Sequence, residues 1–167
     1  MATEAPLNIE LLRQSVTRLA HEAGQKILEV YATEFEVTAK ADTSPVTAAD
    51  VASQAHIVAG LKELLPGVPV IAEEEAAPAY EERKEWSRFW LVDPLDGTKE
   101  FVKRNGEFSV NIALVENGFP ILGVVHAPVT GLTYVGTPRS RHTAAAAWRY
   151  DAEGAAQRAH ARVHRSA

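Results

Sequence analysis

The sequence predicts an α+β domain in which two long helices pack on a largely antiparallel sheet. Two observations carry this. Apolar residues recur at steps of three and four over 7–31, and a capped helical segment follows over 47–65. Later, the apolar runs 108–115, 120–126 and 132–135 are joined by connections too short for parallel crossovers. At 167 residues, 46% hydrophobic and 23% charged, the chain has the length and composition of one well-cored globular domain.

The first helix, 7–31, carries Ile9, Leu12, Val16, Leu19, Ala23, Ile27 and Val30 as one stripe, with Arg13, Arg18, Glu22, Lys26 and Glu29 elsewhere. Phe35 to Lys40 reads as a short strand, and 41–45 as a polar turn. Thr47-Ala48-Ala49-Asp50 matches a capping box, with Thr as N-cap and an acid at the third helical position. That helix continues through Val51, Ala55, Val58, Leu61 and Leu65 until Pro66-Gly67 ends it. Residues 68–72 form a strand that runs into Glu73-Glu74-Glu75, and 76–88 form a surface loop or short helix.

Phe89 to Val92 reads as a strand buried on both faces, because four large apolar residues leave no polar side. Asp93 stands where it gives out. Pro94 has no N–H, so the ladder is expected to stop there. Gly97 admits backbone conformations closed to other residues, and Thr98 can begin a helix. The strands that follow put Val110, Ile112 and Leu114 on one face, and Glu116-Asn117-Gly118 is a hairpin turn. Residues 144–150 could add a strand, 151–154 a turn. His160 and His164 have a helical i,i+4 spacing but no acid nearby, so a solvated tail is the simpler reading. The other histidines read as structural or surface residues.

Charge divides the chain at the same place. Residues 1–137 hold 11 basic and 20 acidic side chains, whereas 138–167 hold 6 and 2. The expected organisation is a folded body over 1–137 and a basic C-terminal segment over 138–167, with a last strand and a poorly ordered tail. The net charge of −5 argues against binding a nucleic-acid polymer. No apolar run is long enough to span a membrane, and the N-terminus lacks a basic region followed by an apolar one. With no Cys there is no disulfide framework or thiol chemistry, which fits the cytosol.

Asp93-Pro94-Leu95-Asp96-Gly97-Thr98 places two carboxylates and the Leu95 carbonyl on one turn, an oxygen-rich set suited to Mg²⁺. Three readings compete for it. Leu95-Asp96-Gly97-Thr98 matches the second half of the D-x-D-G-T signature of haloacid-dehalogenase phosphatases, but Pro94 stands where their nucleophile belongs, which excludes them. A noncatalytic cation site or plain turn is the second, since Asp and Gly favour turns. The third is a phosphatase in which carboxylates hold two or more Mg²⁺ and an activated water attacks phosphorus. Asp50 read alone is a helix cap, and the Glu73–Glu75 run a solvated loop.

Ile71-Ala72-Glu73-Glu74, Ser44-Pro45-Val46-Thr47-Ala48-Ala49-Asp50 and Trp90-Leu91-Val92-Asp93-Pro94-Leu95-Asp96-Gly97-Thr98 together resemble the inositol monophosphatase superfamily, which is magnesium-dependent and lithium-sensitive. Lys99-Glu100-Phe101 and Arg104-Asn105-Gly106-Glu107-Phe108 resemble its 3′(2′),5′-bisphosphate nucleotidase branch. The resemblance runs from the first helix to Thr137 and implies the N-terminal domain of a layered α/β sandwich. It implies Glu73, Asp93, the Leu95 carbonyl and Asp96 as metal ligands, with Glu73 also catalytic. Thr98 paired with Asp50 would orient the attacking water, and Gly97, Thr98 and Lys99 would bind the phosphate. The implied cofactor is Mg²⁺. The implied reaction converts 3′-phosphoadenosine 5′-phosphate to AMP and phosphate, clearing a by-product of sulfate assimilation. An inositol-phosphate or other sugar-phosphate substrate is the alternative.

The family continues into a second domain with a W-D-x-A-A-G segment that completes a metal site. Here the only Trp after the motif is Trp148, followed by Arg149. The expectation is a chain truncated after the first domain, and the alternative function is an inactive fragment that only binds metal or a partner. Self-association through the face the second domain would cover, and a cytoplasmic location or a peripheral one on the inner membrane's cytoplasmic side, complete the expectations.

Overall fold

The computed structural model describes residues 7–40, 45–138, 146–150 and 156–158. Asn8 caps α1 (Ile9–Tyr31), accepting from the Leu11 N–H. Helix α1 buries Leu12, Val16, Leu19, Ala23 and Ile27, the stripe its spacing predicts. A separate two-stranded hairpin follows, β1 (Val37–Ala39) with β2 (Pro45–Thr47). Its second strand occupies residues that the sequence assigns to a turn and a cap. Thr47 then caps α2 (Ala48–Leu64), and the capping box closes through Asp50.

The main sheet runs β3 (Val70–Ala72), β4 (Arg88–Asp96), β5 (Ser109–Glu116), β6 (Phe119–Ala127), β7 (Leu132–Gly136), β8 (Ala146–Tyr150) and β9 (Ala156–Arg158), in that order. Among the described strands only β3 and β4 are parallel, joined by a crossover that holds the short helix α3 (Tyr80–Arg83). All other pairs are antiparallel. Asn117 and Gly118 turn the β5–β6 hairpin with φ of 50° and 79°, the left-handed pair a two-residue turn requires. Helix α4 (Thr98–Val102) follows β4 directly.

Helices α1 and α2 pack on each other and on one face of the sheet. Trp90, Val92, Val110, Ile112, Leu114, Leu122 and Val124 point into that core. The aromatic cluster Tyr31, Phe35, Phe101 and Phe108 closes its end beside α4.

Three expectations need correction. Strand β4 is not buried on both faces: Trp90 is fully buried but Leu91 is 48% exposed, because the two long helices cover only one side. Nor does the ladder stop at Pro94. Asp93 pairs with Asn111 and Asp96 with Ser109, so the missing N–H is absorbed as a register shift and pairing resumes. The buried face of α2 is also rotated from its apolar residues. It consists of Ala49, Asp50, Ser53, Gln54, Ile57 and Leu61, while Val51 is exposed. The histidine pair at 160 and 164 lies outside the described residues.

Candidate active site

Parallel pairing builds the site. Ala72 lies opposite Val92, so the residues after the two strands emerge side by side, and the Glu73 N–H donates to the Val92 carbonyl at 3.2 Å. Two strands that each end in acids therefore bring Glu73 against Asp93. Asp96 follows the bulge, exposed, and accepts from Asn111 Nδ2 at 3.1 Å. Asn111 is itself held by the Ser109 hydroxyl at 3.1 Å.

Asp93 carries the strongest electrostatic signal. Its carboxyl is pushed up to about 7, first by burial, then by the Glu73 carboxyl beside it and by Asp96, against a smaller lowering by the Leu95 backbone. Its Oδ1 is buried without a hydrogen-bond partner. A buried, unpaired carboxylate oxygen among other acids is costly unless a cation or proton joins it. The oxygen donors here suit a hard divalent ion.

Helix α2 holds the site from behind with three buried polar side chains on one face. The Asp50 Oδ2 accepts from the Thr47 N–H at 2.7 Å and the Thr47 hydroxyl at 2.6 Å. Its Oδ1 accepts from the Thr98 hydroxyl at 3.1 Å. The cap of α2 and the partner of Thr98 are thus one residue. Ser53 donates to the Pro94 carbonyl at 2.7 Å, and Gln54 accepts from the Glu74 N–H at 2.9 Å. The Thr98 hydroxyl also lies 3.2 Å from the Leu95 carbonyl, whose side chain is sunk in the core.

Gly97 cannot be replaced without movement. Its φ is 92°, and an added Cβ would stand 2.8 Å from the Glu107 carbonyl. Lys99 is exposed one residue past Thr98.

The structure therefore gathers Asp50, Glu73, Asp93, Leu95, Asp96, Gly97 and Thr98 at one end of β3 and β4. Among the described residues, however, no three acidic, His or Cys side chains are assembled closely enough to hold a metal ion. Glu73 is shared with a cation: the Lys40 ammonium lies 3.2 Å from its Oε1 and 2.7 Å from Glu74 Oε1. Burial raises the Glu74 carboxyl, and Lys40 only partly offsets this. Sequence reasoning did not find Lys40, Ser53, Gln54 or Asn111. Only the helical spacing of 50, 53 and 54 could have flagged two of them.

The chain matches the inositol monophosphatase family over residues 9–157. It is 57% identical over 121 residues to the 3′(2′),5′-bisphosphate nucleotidase CysQ of Escherichia coli K12, covering 71% of this chain and 49% of that protein. Its fold is similar to that of CysQ from Bacteroides thetaiotaomicron, with a TM-score of 0.69 at 37% identity over 93% of this chain and 60% of that one. An IMPase/NADP phosphatase solved with Mg²⁺ and phosphate shares the fold at 22% identity and a TM-score of 0.63, over 83% of this chain and 49% of that one. The chain spans about half the length of the curated relatives it matches.

Proposed function

The chain belongs to the inositol monophosphatase family, and from that premise we propose that it acts on a small phosphate ester as a Mg²⁺-dependent phosphomonoesterase. The observation that carries the reading is one juxtaposition. The Asp93 carboxyl, whose Oδ1 is buried without a partner, lies at the same strand end as the Thr98 hydroxyl, which is held by Asp50 at 3.1 Å.

Glu73, Asp93, the Leu95 carbonyl and Asp96 would hold Mg²⁺. When bound, it supplies positive charge to the phosphate oxygens and makes water a better nucleophile near neutral pH. The chain's own residues do the positioning. With its proton directed to Asp50, the Thr98 oxygen has lone pairs to accept from a water and aim it at phosphorus. Asp50, fully buried and fixed by Thr47, keeps that orientation. Asn111 holds Asp96, and Ser53 holds the Pro94 carbonyl at the bulge. Beyond Gly97 the first-turn N–H groups have no acceptor within the helix and would receive phosphate oxygens, with Lys99 alongside. Water adds to phosphorus, the ester oxygen leaves with a proton, and inorganic phosphate is released.

The substrate we infer is a 3′-phosphorylated nucleotide 5′-phosphate. The support is the 57% identity to a 3′(2′),5′-bisphosphate nucleotidase and the Lys99-Glu100-Phe101 and Arg104-Asn105-Gly106-Glu107-Phe108 segments. The test is phosphate release from 3′-phosphoadenosine 5′-phosphate by purified chain in Mg²⁺. Release suppressed by Li⁺ and absent from Asp93→Asn is the expected result. Release no greater than that of Asp93→Asn would overturn the reading and leave a cation-binding or interaction domain.

A further inference from the structure

We propose that the Lys40 ammonium is a built-in counter-cation of the carboxylate cluster, holding Glu73 and Glu74 until a divalent cation displaces it. The inference rests on the metal-site reading above and concerns how that site is prepared. Lys40 follows β1, in the small hairpin that belongs to neither the main sheet nor the helices. Its side chain reaches Glu73 Oε1 at 3.2 Å and Glu74 Oε1 at 2.7 Å, and only 21% of it is exposed. Glu74 is fixed independently, because its N–H is bonded to Gln54 and its side chain is 10% exposed. Glu73, by contrast, is half exposed and meets both the Lys40 ammonium and the Asp93 carboxyl. No metal cluster is assembled among the described residues. Glu73, expected to converge with Asp93 and Asp96, shares its carboxylate between Asp93 and an ammonium.

Electrostatics gives this arrangement two consequences. Three carboxylates at one strand end repel one another, so a positive charge at Glu73 and Glu74 stabilises the cation-free fold. The same charge opposes an incoming divalent ion, which must separate Lys40 from Glu73 before Glu73 can coordinate. Lys40 would thus set the affinity threshold of the site. A purely structural ion pair would stabilise the chain equally with and without cation, and would leave cation affinity alone.

The test titrates Mg²⁺ calorimetrically into the chain and into Lys40→Met and Lys40→Arg, and records melting temperatures with and without saturating Mg²⁺. Lys40→Met should bind about tenfold more tightly, allowing for solvent screening of a partly exposed pair. It should also melt below the unaltered chain without cation, with the gap closing when Mg²⁺ is saturating. Lys40→Arg, which keeps the charge, should stay near the unaltered affinity. Lys40→Gln supplies the neutral arm if Lys40→Met does not melt cooperatively. Equal or weaker binding by the neutral variants, or tightening by Lys40→Arg as well, would overturn the Lys40 role alone. No binding by any of these chains would overturn the metal-site reading with it.

Discussion

His126 enters the fold uncharged. It is 1% exposed, accepts or donates at Nδ1 with the Thr133 hydroxyl at 2.8 Å, and leaves Nε2 buried without a partner against Gly24. Burial, reinforced by His21 with its ring centroid 5.3 Å away, pulls the His126 imidazole down to about 4, against a small raising by the Leu132 backbone. In the unfolded chain it returns to its ordinary value near 6.5. Between those values the unfolded state binds the extra proton, so the contribution is complete above pH 6.5 and is lost as pH falls towards 4. From pH 7 to pH 5 the loss is about 2 kcal/mol. Denaturant unfolding at the two pH values measures it, and His126→Asn should flatten the difference; an unchanged slope in that variant would contradict the assignment. Residues of this kind show how far single positions can be read. Asp93, Asp96, Gly97 and Thr98 were legible because their chemistry is local, one turn bounded by Pro and Gly. Lys40 and Ser53 were not, since their partners lie 33 and 41 residues away and no pattern near them points there.

At the scale of elements, the parallel step from β3 to β4 does what no single residue can. It sets two acid-terminated strands in register and so converts a solvated-looking triplet and a turn into one cluster. Helix α2 misleads for a related reason. Its buried face is polar, satisfied by the turns it supports, so apolar spacing places the stripe on the wrong residues. The one-sided cover of β4 makes a direct prediction about neighbours. Trp90→Ala should cost about 3–5 kcal/mol, as for a large core side chain. Leu91→Ala, half exposed on the opposite face, should cost less than about 1 kcal/mol. Chemical denaturation of both variants decides it, and equal costs would mean that the outer face is covered in solution.

For the whole molecule, the two-helix layer and the largely antiparallel sheet follow from periodicity and short turns, and the family match over 9–157 agrees with them. Less legible was what covers each side of the sheet, because a run such as Phe89 to Val92 reads the same whether one face or both are buried. On the outer face, Leu91, Val125 and Tyr134 are 48%, 43% and 40% exposed. No helix among the described residues is long and apolar enough to cross a membrane. The strand ends of β3 and β4 are where the account converges, for the proposed hydrolysis and the role of Lys40 both need a divalent cation there. Mn²⁺, a hard cation that oxygen ligands also accept, reports its free concentration through its paramagnetic resonance signal. Adding the chain should deplete the free Mn²⁺ signal to saturation, while Asp93→Asn leaves it standing. A free signal undiminished by the unaltered chain, or equally diminished by Asp93→Asn, would contradict the account.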